Sequence, residues 1–126
     1  MTVLVDTSVW VKHFKNTSKE LSSLLGNDEA VIHSFILAEI ACGTPPAPRS
    51  RTLSDFSLLG RANEASLDEV MAFIEHEKLY GLGCGLIDIA LLASALITPG
   101  CRLWTLDKRL ATLADRFGVL YSPASK

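Results

Sequence analysis

Four acidic residues stand flush against apolar runs, where a carboxylate is costly. Asp6 follows Val3-Leu4-Val5, and Glu39 is set between Phe35-Ile36-Leu37-Ala38 and Ile40-Ala41. Asp88 lies between Leu86-Ile87 and Ile89-Ala90-Leu91-Leu92, and Asp107 closes Leu103-Trp104-Thr105-Leu106. A carboxylate beside a core loses hydration, and the loss is severe unless something compensates it. One helix cap or one arginine can compensate one acid. Four acids arriving from separate elements call for a shared positive charge, and a divalent cation fits that need. The Cys and His residues show no metal-ligand spacing that would make a softer site. The chemistry implied is that of a hard cation: phosphoryl transfer or phosphodiester hydrolysis.

The plainer alternative is helix capping. Asp6, Asp88 and Asp107 each precede a helical pattern, so each can serve as an N-cap worth about 1 kcal/mol. Glu39 does not fit that alternative. It falls in the middle of an apolar helical run, and its i±3 and i±4 neighbours are Phe35, Ile36, Cys42 and Gly43, none of them a cation. Its partner must come from across the fold. The remaining acids, such as Asp28, Glu64 and Glu75, sit in polar surroundings and read as solvated.

The elements that must position the acids alternate. Val3-Leu4-Val5 reads as a buried parallel strand, and Asp6-Thr7-Ser8 starts a helix through Val9-Trp10-Val11. A short helix over residues 18–25 is capped by Ser18 and stopped by Gly26. A strand over residues 30–33 and a helix over 34–42, capped by Ser34, come next; Gly43 and Thr44-Pro45-Pro46-Ala47-Pro48 end that helix. Residues 51–59 read as helix and 60–65 as loop. Ser66-Leu67-Asp68-Glu69 opens another helix with a capping-box pattern. After the turn Gly81-Leu82-Gly83-Cys84-Gly85 comes a helix over 86–97, apolar nearly all round and so central. A strand over 102–106, a helix over 108–117 and a short strand over 119–121 complete the series. Such alternation predicts an α/β fold: one domain over residues 1–122, with a central, mostly parallel sheet flanked by helices and a flexible tail over 123–126. Sites in such sheets lie beyond the carboxyl ends of the strands, where Asp6 and Asp107 are both expected, each directly after its strand.

Composition sets the class. The chain has 126 residues, 48% hydrophobic and 21% charged, enough for one globular core. A net charge of −2 excludes nucleic-acid binding through a bulk basic field, although a metal in an acidic pocket reverses the sign locally. Cys42, Cys84 and Cys101 are odd in number and have no CxxC spacing, which suits a reducing compartment. The N-terminal apolar run is too short for a signal peptide, and the longest apolar stretch is too short to span a bilayer. A cytoplasmic protein that does not enter the membrane is expected.

Taken in order, Val5-Asp6-Thr7-Ser8, then Leu37-Ala38-Glu39-Ile40 with Gly43, then residues 85–95 around Asp88, then Leu103-Trp104-Thr105-Leu106-Asp107 resemble a PIN-domain ribonuclease, within that group the VapC-type toxins of bacterial toxin–antitoxin pairs. The resemblance covers nearly the whole chain. It implies an endoribonuclease that hydrolyses RNA with Mg²⁺ or Mn²⁺. Asp6, Glu39 and Asp88 would be the core metal ligands and Asp107 would complete the catalytic pocket. Thr7, Ser8 and Thr105 match the polar residues that orient those acids. The resemblance also implies a cognate antitoxin as partner, seated in a groove to which Val9, Trp10, Val11 and Phe14 can contribute, and a homodimer. The run Ile89-Ala90-Leu91-Leu92 is bulkier than in many members, and the compact stretch between Glu39 and Asp88 departs from the family in the region that shapes RNA choice.

Lys12, Arg49, Arg51, Lys108 and Arg109 are candidates for phosphate contacts, although ordinary solvated charge is the more common role for each; Arg49 and Arg51 stand out among them for following the proline-rich loop. His13, His33 and His76 lack metal-ligand spacing and read as structural or surface residues; Trp10 and Trp104 read as core. Two other functions compete. One is a different metal-dependent phosphohydrolase, although a haloacid-dehalogenase type needs an acid where Ser8 stands, and a receiver type needs paired acids where Asp6 is single. The other is a catalytically idle fold that binds RNA or protein.

Overall fold

The computed structural model describes residues 1–123; the predicted tail lies, beyond Pro123, outside the described residues. Its centre is β1 (Thr2–Val5). Val3, Leu4 and Val5 are all fully buried, and since successive strand residues point to opposite faces, both faces of β1 are covered. Around it run α1 (Thr7–Lys15), α2 (Lys19–Gly26), β2 (Ala30–Ile32), α3 (Ser34–Cys42), α4 (Arg49–Ser57), β3 (Gly60–Arg61), α5 (Leu67–Glu77), α6 (Leu86–Leu96), β4 (Cys101–Trp104) and α7 (Lys108–Arg116). The sheet order is β3-β2-β1-β4, with every pair parallel. The register Val3↔Ala30 on one side and Val5↔Trp104 on the other brings the carboxyl ends of β1 and β4 level. The expected α/β architecture with a parallel sheet is therefore what the chain adopts.

Local chemistry explains most of the helix ends. Ser66 accepts from the Glu69 amide while the Glu69 carboxylate accepts from the Ser66 amide, the reciprocal cap its spacing implied. Ser18 caps α2 through the Leu21 amide, although the left-handed residue that turns the chain afterwards is Asp28 (φ 59°), not Gly26. Helix α6 is the central one, buried without a break from Ile89 to Ala95. Trp10 and Trp104 are both core residues, Trp10 stacking edge-on against Phe56 of α4 at 4.6 Å.

Four local expectations need correction. Residues 60 and 61 form a two-residue edge strand instead of loop, because Ala62 donates to the Ile32 carbonyl and extends the parallel ladder; both residues are exposed and carry no apolar alternation. Helix α4 both starts and ends two residues early, running from Arg49, behind Pro48, whose extended backbone suits a helix entrance, to Ser57. The strand expected at residues 119–121 is a single bridge, Leu103↔Leu120. Helix α3 is capped by His33, not Ser34: His33 Nδ1 accepts from the Phe35 amide at 2.9 Å, while Ser34 turns to the Glu64 carboxylate.

Candidate active site

Asp6 follows β1 and its amide donates to the Trp104 carbonyl at 2.9 Å, so the first acid is held by the sheet ladder itself. It occupies the N-cap position of α1 but caps nothing with its side chain. It is almost fully buried, and its Oδ2 instead accepts from Ser8 Oγ at 2.7 Å and from Thr105 Oγ1 at 2.9 Å. Each hydroxyl is anchored in turn: Ser8 Oγ accepts from the Leu106 amide, and Thr105 Oγ1 from the Asp107 amide, both at 3.1 Å. Two short relays thus pin the start of α1 to the turn between β4 and α7.

Asp107 does not follow its strand directly, as expected from sequence. Strand β4 ends at Trp104, and Thr105-Leu106 carry the chain on to it. Its Oδ1 accepts from the amides of Arg109 and Leu110 at 2.9 and 3.0 Å, so the capping alternative holds for this acid. Its other oxygen has no hydrogen-bond partner among the described residues.

Glu39 finds the cross-fold partner its position demanded: Thr7 Oγ1 donates to Glu39 Oε1 at 2.6 Å. The carboxylate is half-buried and also forms part of the wall of a cleft of about 520 Å³ between α1 and the proline-rich loop, with Val11, Phe14, Ile40 and Gly43. Val9 and Trp10, also expected at a groove on this helix, are core residues and take no part in that cleft. All three hydroxyls expected to orient the acids donate to one.

Asp88 is the third residue of α6, not its cap, and is half-buried. Burial pushes its carboxyl above the usual carboxylate range; the Gly85 backbone opposes the shift, and the charges of Asp107, Asp6 and Glu39 add to it. All four acids therefore share one electrostatic neighbourhood although they come from four places in the chain. None is in an ion pair: among the described residues the pairs are Arg61–Glu64, His76–Glu77 and Arg116–Glu77. Among the same residues, no three Asp, Glu, His or Cys side chains are gathered as a ready-made cage for one ion.

The expected phosphate-contact residues scatter. Arg49 donates to the Ala41 carbonyl at 2.7 Å and so closes the last turn of α3. Arg51 is exposed on α4, and Lys12 is exposed on α1 at a separate cleft of about 210 Å³ with Val9, His13 and Leu106. His33 is structural, its Nε2 lying 3.1 Å from Ser94 Oγ. The His33 cap has a single sequence signal, a polar residue ending an apolar strand. Cys84 carries no sequence signal for its place near the acids, yet its thiol is pushed up first by burial, then by Asp88 and Asp107.

The model of the family described as "PIN domain" matches residues 3–116. Two curated relatives, both called "Ribonuclease VapC32", come from Mycobacterium tuberculosis strains CDC 1551 / Oshkosh and ATCC 25618 / H37Rv. Each is 38% identical over 117 residues, which cover 93% of this chain and 94% of the relative. No helix among the described residues is long and apolar enough to cross a membrane.

Proposed function

Because this chain belongs to the PIN domain family, we propose that it is a metal-dependent endoribonuclease, the toxin of a toxin–antitoxin pair, acting on RNA in the cytoplasm. The observation that carries the reading is the Asp88 carboxyl, raised by burial and by three other acids, with none of the four in an ion pair among the described residues. Such a cluster relieves its mutual repulsion by holding protons or by taking up a cation. The donor set is all oxygen, which suits Mg²⁺ or Mn²⁺. Asp6, Glu39 and Asp88 would hold the ion, with the free oxygen of Asp107 completing the set. When bound, the ion would offset charge on the phosphate and ease loss of a proton from the attacking water.

The chain's own groups do the rest. Ser8 and Thr105 fix Asp6 Oδ2 and leave Oδ1 available, and Thr7 does the same for Glu39 through Oε1. Orientation by neighbouring donors of this kind is what a metal centre requires of its surroundings. Asp107 gives one oxygen to α7 and keeps one for the site. The cleft at Val11, Phe14 and Ile40 reaches Glu39, so an antitoxin segment seated there would cover that acid; a homodimer completes the proposed assembly.

A second reading, an idle fold that binds RNA or protein, draws on the lack of a preformed three-ligand set among the described residues. Manganese titration separates the two. Saturable Mn²⁺ binding by the purified chain, lost in Asp6→Asn and Glu39→Gln, supports the enzyme; no saturable site supports the idle fold.

A further inference from the structure

The turn between α5 and α6 holds a cation at the rim of the acid cluster. Gly83 has φ +88°, and a Cβ there would stand 2.8 Å from Cδ and Nη1 of Arg109 and 3.0 Å from its Cζ. Those distances are below normal contact, and the backbone region disfavours any side chain. The Arg109 side chain therefore lies across the bare face of Gly83, its Nη1 3.4 Å from the Gly83 carbonyl oxygen. At its other end, the Arg109 amide donates to Asp107 Oδ1 at 2.9 Å. One residue is thus fastened by its backbone to a site acid and laid by its side chain along the glycine turn.

The guanidinium is exposed, and it belongs to none of the ion pairs among the described residues. It is nevertheless close to the acids. The Cys84 thiol, pushed up by burial and by Asp88 and Asp107, feels Arg109 in the opposite sense, so one half-buried residue senses the charge of all three. A guanidinium presents a planar fork of N–H donors that matches phosphate oxygens, and its charge survives at any working pH.

We propose that Arg109 is a phosphate-binding residue of this site, seated across Gly83 so that its guanidinium grips the RNA backbone beside Asp88 and Asp107. The proposal rests on the nuclease reading and assigns the substrate contact within it. Gly83 is then a positioning residue: any side chain there displaces the arginine.

The test uses the full chain and a labelled single-stranded RNA, with two readouts. One is kcat/KM for cleavage with Mn²⁺; the other is RNA binding without divalent ions across a KCl series. Arg109→Ala should lower kcat/KM about 10- to 100-fold, chiefly through KM, as expected for a lost charge-assisted contact. It should also make the salt slope of log Kd shallower by about 0.7, the value for one phosphate contact on a single strand. Arg102→Ala removes the same charge from an exposed residue whose side chain, among the described residues, reaches only the Gly118 carbonyl, and should leave both readouts unchanged. Gly83→Ala should lower kcat/KM in the wild-type background and add nothing to Arg109→Ala. Full additivity, or an Arg109→Ala variant with wild-type KM and salt slope, overturns the proposal. Should Gly83→Ala fail to fold, Arg109→Ala and its slope decide alone. If the wild-type chain neither cuts nor binds RNA, the nuclease reading falls and takes this proposal with it; an active wild type with an indifferent Arg109→Ala removes only the proposal.

Discussion

Replacing Thr105 by valine removes one hydroxyl and keeps the shape. Two contacts disappear: the donation from Oγ1 to Asp6 Oδ2 at 2.9 Å and the acceptance from the Asp107 amide at 3.1 Å. The first is a buried bond to a carboxylate and the second leaves a backbone N–H without its partner, so together they are worth about 2–3 kcal/mol. At about 2.1 cal/mol/K per residue for a chain of 126 residues, the melting temperature should fall by about 8–11 °C. Thr105→Ser keeps the oxygen and loses only a methyl group, costing roughly 1 kcal/mol or less, about 4 °C. The assay is thermal unfolding by circular dichroism of the three proteins in EDTA, followed by cleavage with Mn²⁺. Thr105→Val should also cut more slowly, since Asp6 then keeps only Ser8 as an orienting donor. If valine and serine lower the melting temperature equally, the hydroxyl relay is not what holds Asp6 to the β4–α7 turn, and the reasoning fails.

Asp107→Ala should lose about 1 kcal/mol of stability with the α7 cap while Asp107→Asn loses only a few tenths, yet both should cut RNA poorly; denaturant melts and rate assays check the split. Asp88 has a raised carboxyl, so the native state holds that proton more tightly than the unfolded chain, and the group costs stability as pH rises above the ordinary value of 3.8 through its own. Asp88→Asn should therefore melt higher than wild type at neutral pH in EDTA and gain less from Mn²⁺, read by thermal shift. His33 is lowered from 6.5 by burial, with Glu64 raising and Arg61 lowering it further, so the unfolded chain takes up the proton first and stability falls as pH drops below about 6.5. His33→Asn, which offers an oxygen to the Phe35 amide and has no such titration, should flatten that slope in urea melts at pH 5 to 7.

What the sequence made legible was whatever depends on local pattern. The β-branched run before Asp6, the capping box at Ser66 and the all-apolar helix around Asp88 each carry their own signal, and each element formed where that signal lay. Glu39 was legible by elimination, since no neighbour on its helix can pair with it, and Thr7 is the distant partner that position required. The errors have a common cause in contacts that local pattern does not encode. Strand β3 exists because Ile32 offers an unpaired carbonyl, not because Gly60 and Arg61 favour strand. His33 displaces Ser34 as cap because Glu64, thirty residues on, takes the serine hydroxyl. The seat of Arg109 on Gly83 joins residues 26 apart and leaves no mark in either segment alone beyond a glycine in a glycine-rich turn.

The most direct test of the central claim is cleavage of a structured RNA by the purified, partner-free chain in Mg²⁺ or Mn²⁺ against EDTA, beside Asp88→Asn. Cutting should need the divalent ion and disappear in the variant. Cutting that persists equally in EDTA and in Asp88→Asn would contradict it.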